Sequence, residues 1–459
     1  MHRESEGLPV DFYYGAPSCV PASAQETPFE YIEADEIKKL FADGSCTHLG
    51  EMMNFPGVYL GDDKVWAKLA ASEGRVITGH APRVSGRELA AYLLGGITSD
   101  HECDNAEEAL EKLRRGMYLM IRQGATARNL KELAPLLAAQ PGLAARCLSV
   151  SDDISPNFIH ERGHLDGCLR ELIECGVEPL AALRTITLTP AEYFRLYDRG
   201  IIAPAKLADI VMVDNIEKCT VLKVWKRGKL VAENGAPTEK ITPAVTSALP
   251  GYGGEVRTPT ADELRVKIDA PGVEINVIGV IPGQVVTKTI RMAPTDIDGY
   301  ACADAERELA KMAVVEKNRG TGRCAVGFLH GFGLVRGAVA SSIAHDAHNY
   351  TCAGMDDISM ETALRELARL GGGIVIAEGE NILAELELPV GGLMSLLSAA
   401  EIREKTAALN AARDALGCTN PHALMQLSFM SLSVIPELKL TDKGYFDISR
   451  CEVMPLFVH

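Results

Sequence analysis

Four polar residues close four short apolar runs of this 459-residue chain: Glu51 in LGEMMN, His80 in VITGHAP, His101 in ITSDHE and Asp152 in LSVSDD. Imidazole and carboxylate are donors that suit Mn, Fe and Zn, so one carboxylate able to bridge two ions, two imidazoles and a further carboxylate form a divalent-metal constellation. A bound divalent ion would make water a nucleophile at neutral pH, with Asp152 placed to take its proton. A single His at a strand end is more often a structural hydrogen-bonding residue. The weight therefore rests on all four residues holding equivalent places on separate strands.

Those places follow from the alternation of short β runs with amphipathic helices over the first two hundred residues, the pattern of βα units around a parallel sheet or barrel. Six strands are expected, at 11–16, 48–53, 75–80, 96–101, 116–122 and 146–153. Helices are expected from Ala34, Asp63, Gly86, Asn105 and Asn129, with Asp104 and Asn129 as N-caps. In a parallel barrel the C-terminal strand ends open onto one face, where such folds place catalytic groups. After Asp153 come helical stretches around HLDGCLRELIEC and TPAEYFRLY, then two β-like runs, RGIIAPAKLADIVMVD and CTVLKVWKRGKLV, that mark a small sheet. A linker follows, and residues 260–459 read as a second α/β domain.

Composition narrows the class. Apolar residues are 47% and charged residues 24%, close to the globular average, and the length leaves room for about three folding units. The 62 acidic residues against 46 Lys and Arg give a net charge of -16, which speaks against a nucleic-acid partner. No apolar run long enough to span a membrane and no signal-peptide pattern occurs, so a cytoplasmic protein is expected. The 12 cysteines contain no CxxC pair and none sits in a nucleophile motif, so reduced, mostly buried thiols are expected. The acidic helix NAEEALEKL reads as a solvated face. GFGLVRG and GGG at 371–373 lack phosphate-loop spacing and read as tight turns.

The local contexts of the four residues resemble the adenine deaminases of the amidohydrolase superfamily. The resemblance is carried by PSCVPA at 17–22, GEMMNFPGV at 50–58, GHAP at 79–82, GITSDHE at 96–102 and SDD at 151–153. RGIIAPAKLADIVMVD at 199–214 is similar to the superfamily's closing sandwich segment. RGAVASSIAHDAHN at 336–349, LGGGIVIA at 370–377, LPVGGLMS at 388–395 and VIPELKLTDKG at 434–444 resemble the family's C-terminal domain. The resemblance implies hydrolytic deamination of adenine to hypoxanthine and ammonia, with adenine and water as substrates, on a binuclear centre of Mn or Fe, or of Zn, in purine salvage. It implies Glu51 as the bridging ligand, His80 and His101 on one ion, and Asp152 on the other while shuttling the proton. Mononuclear purine and pyrimidine deaminases keep a Glu soon after the His of strand five. Here Ala81, Pro82 and Arg83 follow His80, which disfavours that variant.

The fold class implied is α/β, an incomplete TIM-like barrel with six of eight strands at 1–197. A β-sandwich segment at 198–240, a linker at 241–259 and a C-terminal α/β domain at 260–459 complete it. The superfamily's first barrel strand carries His-x-His, and the only close pair here is His345 with His348. The start, MHRESEGLPVDF, reads like the middle of a family member, and activity of this chain is expected to be impaired. Substrate-side candidates are Glu102 and His164 near the barrel mouth and Ser341, Ser342, His345, Asp346 and His348 in SSIAHDAHN, although small residues and two His more often make a tight turn. Self-association is expected, as is common for these barrels. The competing readings are another cyclic amide or amidine hydrolase of the superfamily and a catalytically dead fragment with an assembly role.

Overall fold

The computed structural model describes residues 5–124, 128–241 and 256–458. Most of the expected linker, residues 242–255, lies outside them. The chain divides into two compact units, Met1–Ser18 with Ile32–Ser247 and Cys19–Tyr31 with Ala248–His459.

In the first unit all six expected strands form, shorter than the sequence pattern: β1 (Gly15–Ala16), β2 (His48–Met52), β3 (Ile77–Gly79), β4 (Ser99–Asp100), β5 (Tyr118–Arg122) and β6 (Cys147–Val150). They pair in parallel as two three-stranded sheets, β1-β2-β3 and β4-β5-β6, and the described residues form no closed barrel. Regular pairing stops between β3 and β4, where Thr98 N donates to Ile77 O at 3.1 Å and Gly79 N donates to Ser99 Oγ at 3.3 Å. Only glycine fits at position 79, because a β-carbon there would lie 2.1 Å from Ser99 O. The close approach this allows brings the loops carrying His80 and His101 together.

Helices follow the strands as the periodicity requires. Ala34–Ala42 buries Ile37 and Phe41, four residues apart on one face. Asp62 caps Asp63–Ala71 by accepting from Lys64 N and Val65 N. The cap of Ala106–Arg114 is Asn105, which accepts from Glu108 N at 2.9 Å, and not the expected Asp104. Asn129 stands at the start of Leu130–Ala139 but makes no side-chain cap. Its amide instead accepts from Arg122 N at 2.6 Å and donates to His101 O and Cys103 O at 3.1 and 2.9 Å, fastening the β4 loop to the end of β5. Leu119, Ile121, Leu133, Leu137, Cys147, Leu169 and Leu172 form the apolar core under β5 and β6. Four antiparallel strands, β7 (Ile210–Val213), β8 (Val221–Lys226), β9 (Lys229–Glu233) and β10 (Ala236–Pro237), make the small sheet, in the order β10-β9-β8-β7.

The second unit is built on a nine-stranded, mainly antiparallel sheet that includes Glu274–Val280, Leu309–Val315 and Gly373–Glu378. The helix Asp357–Arg369 buries Met360, Ala363, Leu364 and Leu367 against Val315, Ala340, Cys352 and Val375 of that sheet. The chain is thus an α/β protein. Among the described residues no helix is long and apolar enough to cross a membrane.

Candidate metal centre

Three of the four strand-end residues converge. His101 Nε2 lies 2.9 Å and His80 Nδ1 3.1 Å from Glu51 Oε2, and the two ring nitrogens are 3.3 Å apart. Glu51 lies in β2, His80 directly after β3 and His101 directly after β4, so successive strand ends deliver one donor each. Both imidazoles are well buried, while the Glu51 side chain is 42% exposed.

The members of this trio shift one another's acidity. Desolvation works to raise the Glu51 pKa, but the flanking His101 and His80 hold it well below the usual carboxylate range. Burial works to lower His101, and Glu51 and Glu102 overcome it, raising the imidazole well above its ordinary value. A carboxylate and two imidazoles meet at one point, a place that a divalent ion could take. The donor chemistry fits such an ion, and among the described residues no donor or acceptor meets the buried His80 Nε2.

Asp152 is close by but differently engaged. His101, Glu102 and Asp152 form a second set of donors within 4.8 Å of one another. Arg122, the last residue of β5, lies against both carboxylates: Nη1 donates to Glu102 Oε1 and, at 2.6 Å, to Asp152 Oδ2, while Nη2 donates to Glu102 Oε2 at 3.2 Å. Asp152 adopts a left-handed backbone with φ of 54°, a conformation that costs a non-glycine residue and recurs at functional sites. Sequence reasoning passed over Arg122, although it ends a strand as the other residues do.

It also passed over the support beneath. Asp100, fully buried, accepts from Ala81 N at 2.7 Å and from Glu102 N at 3.2 Å, so one carboxylate binds the loops after β3 and β4. Lys112 Nζ donates to Ala81 O, Asp100 Oδ2 and Glu108 Oε1 at 2.6, 2.9 and 2.6 Å. The helix read as a solvated face therefore turns a Glu and a Lys inward. A third cluster, Asp100, Cys103 and Glu108, already carries this lysine as its cation.

Of the remaining candidates, Glu102 is buried against Arg122, and His164 Nε2 lies 3.0 Å from Ser151 Oγ, beside Asp152. In the second unit Ser341 Oγ accepts from Ile343 N at 3.0 Å. The Ser342 hydroxyl donates to Gly392 O at 2.5 Å and accepts from Gly373 N at 2.7 Å, so Ser341 braces its own turn while Ser342 ties that turn to the segments at Gly373 and Gly392. His345 stacks on Phe429 with ring centres 4.9 Å apart and meets Asp346 Oδ1 at 3.1 Å through Nδ1. Burial pushes His348 down to about 4, and its Nδ1 has no hydrogen-bond partner.

With this geometry in place, sequence comparison defines the class. Residues 1–231 match the amidohydrolase family, and residues 284–452 match the adenine deaminase C-terminal domain. An adenine deaminase 2 of Carboxydothermus hydrogenoformans is 40% identical over 457 residues, covering 99% of this chain and 79% of that protein. An adenine deaminase of Methylobacterium sp. strain 4-46 is 43% identical over 440 residues, covering 95% and 76%. The chain belongs to the adenine deaminases of the amidohydrolase family.

Proposed function

We propose that the chain carries out hydrolytic deamination of adenine to hypoxanthine and ammonia, with Glu51, His80 and His101 holding a divalent ion. The observation that carries this reading is the convergence of one carboxylate and two imidazoles within 3.3 Å at the ends of β2, β3 and β4. Bound there, Mn, Fe or Zn would supply Lewis acidity and lower the pKa of water toward neutrality. Asp152 accepts the proton that water loses as its oxygen bonds to C6 of the purine. The same carboxylic acid then returns that proton to the exocyclic nitrogen as the C6–N bond breaks, so adenine and water leave as hypoxanthine and ammonia.

Of the binuclear centre that the family resemblance implies, Glu51, His80 and His101 would supply one half. Its 459 residues contain no His-x-His pair, so the half that draws on Asp152 is short of neutral donors. Turnover by this chain alone is therefore weak. Residues 1–197 act as the hydrolase portion, 198–240 as its sandwich segment and 260–459 as the C-terminal domain. Glu102, His164, Ser341, Ser342, His345, Asp346 and His348 remain candidates for the substrate side.

The test is ammonia release from adenine by the purified chain, stripped of metal and reconstituted with Mn(II). Weak release that needs metal and disappears in Glu51→Gln is expected. Release that survives both chelation and Glu51→Gln would overturn the site assignment, and rates equal to those of a longer relative assayed alongside would overturn the impairment.

A further inference from the structure

The two donor sets share His101 yet differ in one respect: the set of Glu51, His80 and His101 has no fixed positive charge among its members, whereas Glu102 and Asp152 enclose one. Arg122 is only 7% exposed, and a guanidinium does not give up its proton in a protein, so this charge is permanent. It is also well seated. Glu102 offers one oxygen to each terminal nitrogen in a paired arrangement, and Asp152 adds a third acceptor. Both Glu102 oxygens are thereby occupied, and Asp152 Oδ2 is occupied too.

A second divalent ion drawing on Glu102 and Asp152 would have to sit beside this guanidinium and take over its acceptors. Two unlike requirements stand against it: repulsion between cations at close range in a buried setting, and loss of three charge-assisted hydrogen bonds. Two of the three carboxylates around the centre, Glu102 and Asp152, are already engaged by one arginine that the fold delivers from the end of β5.

We propose that Arg122 is the resident cation of the second position, so that this chain binds a single divalent ion, at Glu51, His80 and His101. Arg122 acts as a positioning residue: it holds Asp152 beside the ion and keeps Glu102 from coordinating it. The inference rests on the reading of Glu51, His80 and His101 as the metal site, and its test separates the two.

Mn(II) bound per chain is counted by equilibrium dialysis, and electron paramagnetic resonance reports whether the bound ions are magnetically coupled. The wild-type chain is expected to bind one ion with an uncoupled spectrum, and Arg122→Lys, which keeps the charge, also one. Arg122→Met is expected to bind a second ion, more weakly than the first because no His-x-His pair serves it but detectably in dialysis against excess Mn(II), with a coupled spectrum and a larger rise in melting temperature on adding Mn(II) than the wild type shows. Arg122→Gln carries the same expectation if the Met variant does not fold. Two ions in the wild type, or one ion in both neutral variants, would overturn the role of Arg122 while leaving the metal site standing. A wild-type chain that binds no ion, or one whose single ion survives Glu51→Gln, would overturn the metal site itself.

Discussion

Each unit buries a lysine completely, and the two lysines meet opposite fates. In the first unit Lys112 is surrounded by Asp100, Glu108 and the Ala81 carbonyl; burial works to lower its pKa, and the two carboxylates overcome it and raise it. In the second unit Lys439 Nζ donates to Val285 O at 2.8 Å, and burial pulls its pKa down to about 7. The same side chain is a fixed charge in one place and an amine that titrates near neutrality in the other. The fixed charge lies under the candidate centre, where it ties the β3 loop to the β4 loop. Lys439 lies in the strand Leu438–Thr441, which pairs antiparallel with Gly444–Asp447 in a three-stranded sheet. Of these two lysines, the one faced by two carboxylates keeps its charge and the one faced by a backbone carbonyl is pulled toward the neutral form.

The largest effect expected from this contrast is at Lys112. Lys112→Met leaves Asp100 buried and unpaired, and should cost about 3–5 kcal/mol in urea unfolding of the first unit. A loss below about 1 kcal/mol would show that the network is ornamental to stability. Next comes the pH dependence of the second unit. The Lys439 pKa is about 7 folded and about 10.4 unfolded, so between those values the unfolded chain binds more protons and stability rises with pH. Between pH 7 and 9 this single group should add about 2 kcal/mol, a slope that vanishes in Lys439→Met. A slope unchanged by that substitution would remove Lys439 as its source. The smallest effect is that of Lys439→Met itself at pH 9, where the amine is neutral. Losing one hydrogen bond to Val285 O should cost about 1 kcal/mol.

The contrast also marks what sequence could reveal. The β2, β3 and β4 ends were legible because a polar residue closing an apolar run is a local pattern, and Glu51, His80 and His101 each stand in one. Arg122 closes β5 in the same way. It went unread because an arginine cannot ligate a metal, and its role depends on two carboxylates 20 and 30 residues away in sequence. Lys112 and Glu108 were hidden by a different cause. An i, i+4 Glu–Lys pair on an acidic helix has the signature of a solvent-facing pair, and only the fold turns it inward. Asn129 misled similarly, standing where a cap belongs while its amide serves the backbone of β5 and the β4 loop. The grouping of Cys19–Tyr31 with the second unit depends on contacts such as Thr27 with Asp442, 415 residues apart, which no local pattern encodes.

The central claim is that Glu51, His80 and His101 hold one divalent ion while Arg122 fills the place beside them. Anomalous diffraction at the manganese edge from crystals of the Mn(II)-loaded chain tests it most directly. The account predicts one peak within bonding distance of Glu51, His80 and His101, with the Arg122 guanidinium still seated between Glu102 and Asp152. An absent peak at that trio, or a second peak between Glu102 and Asp152 with Arg122 displaced, would contradict it.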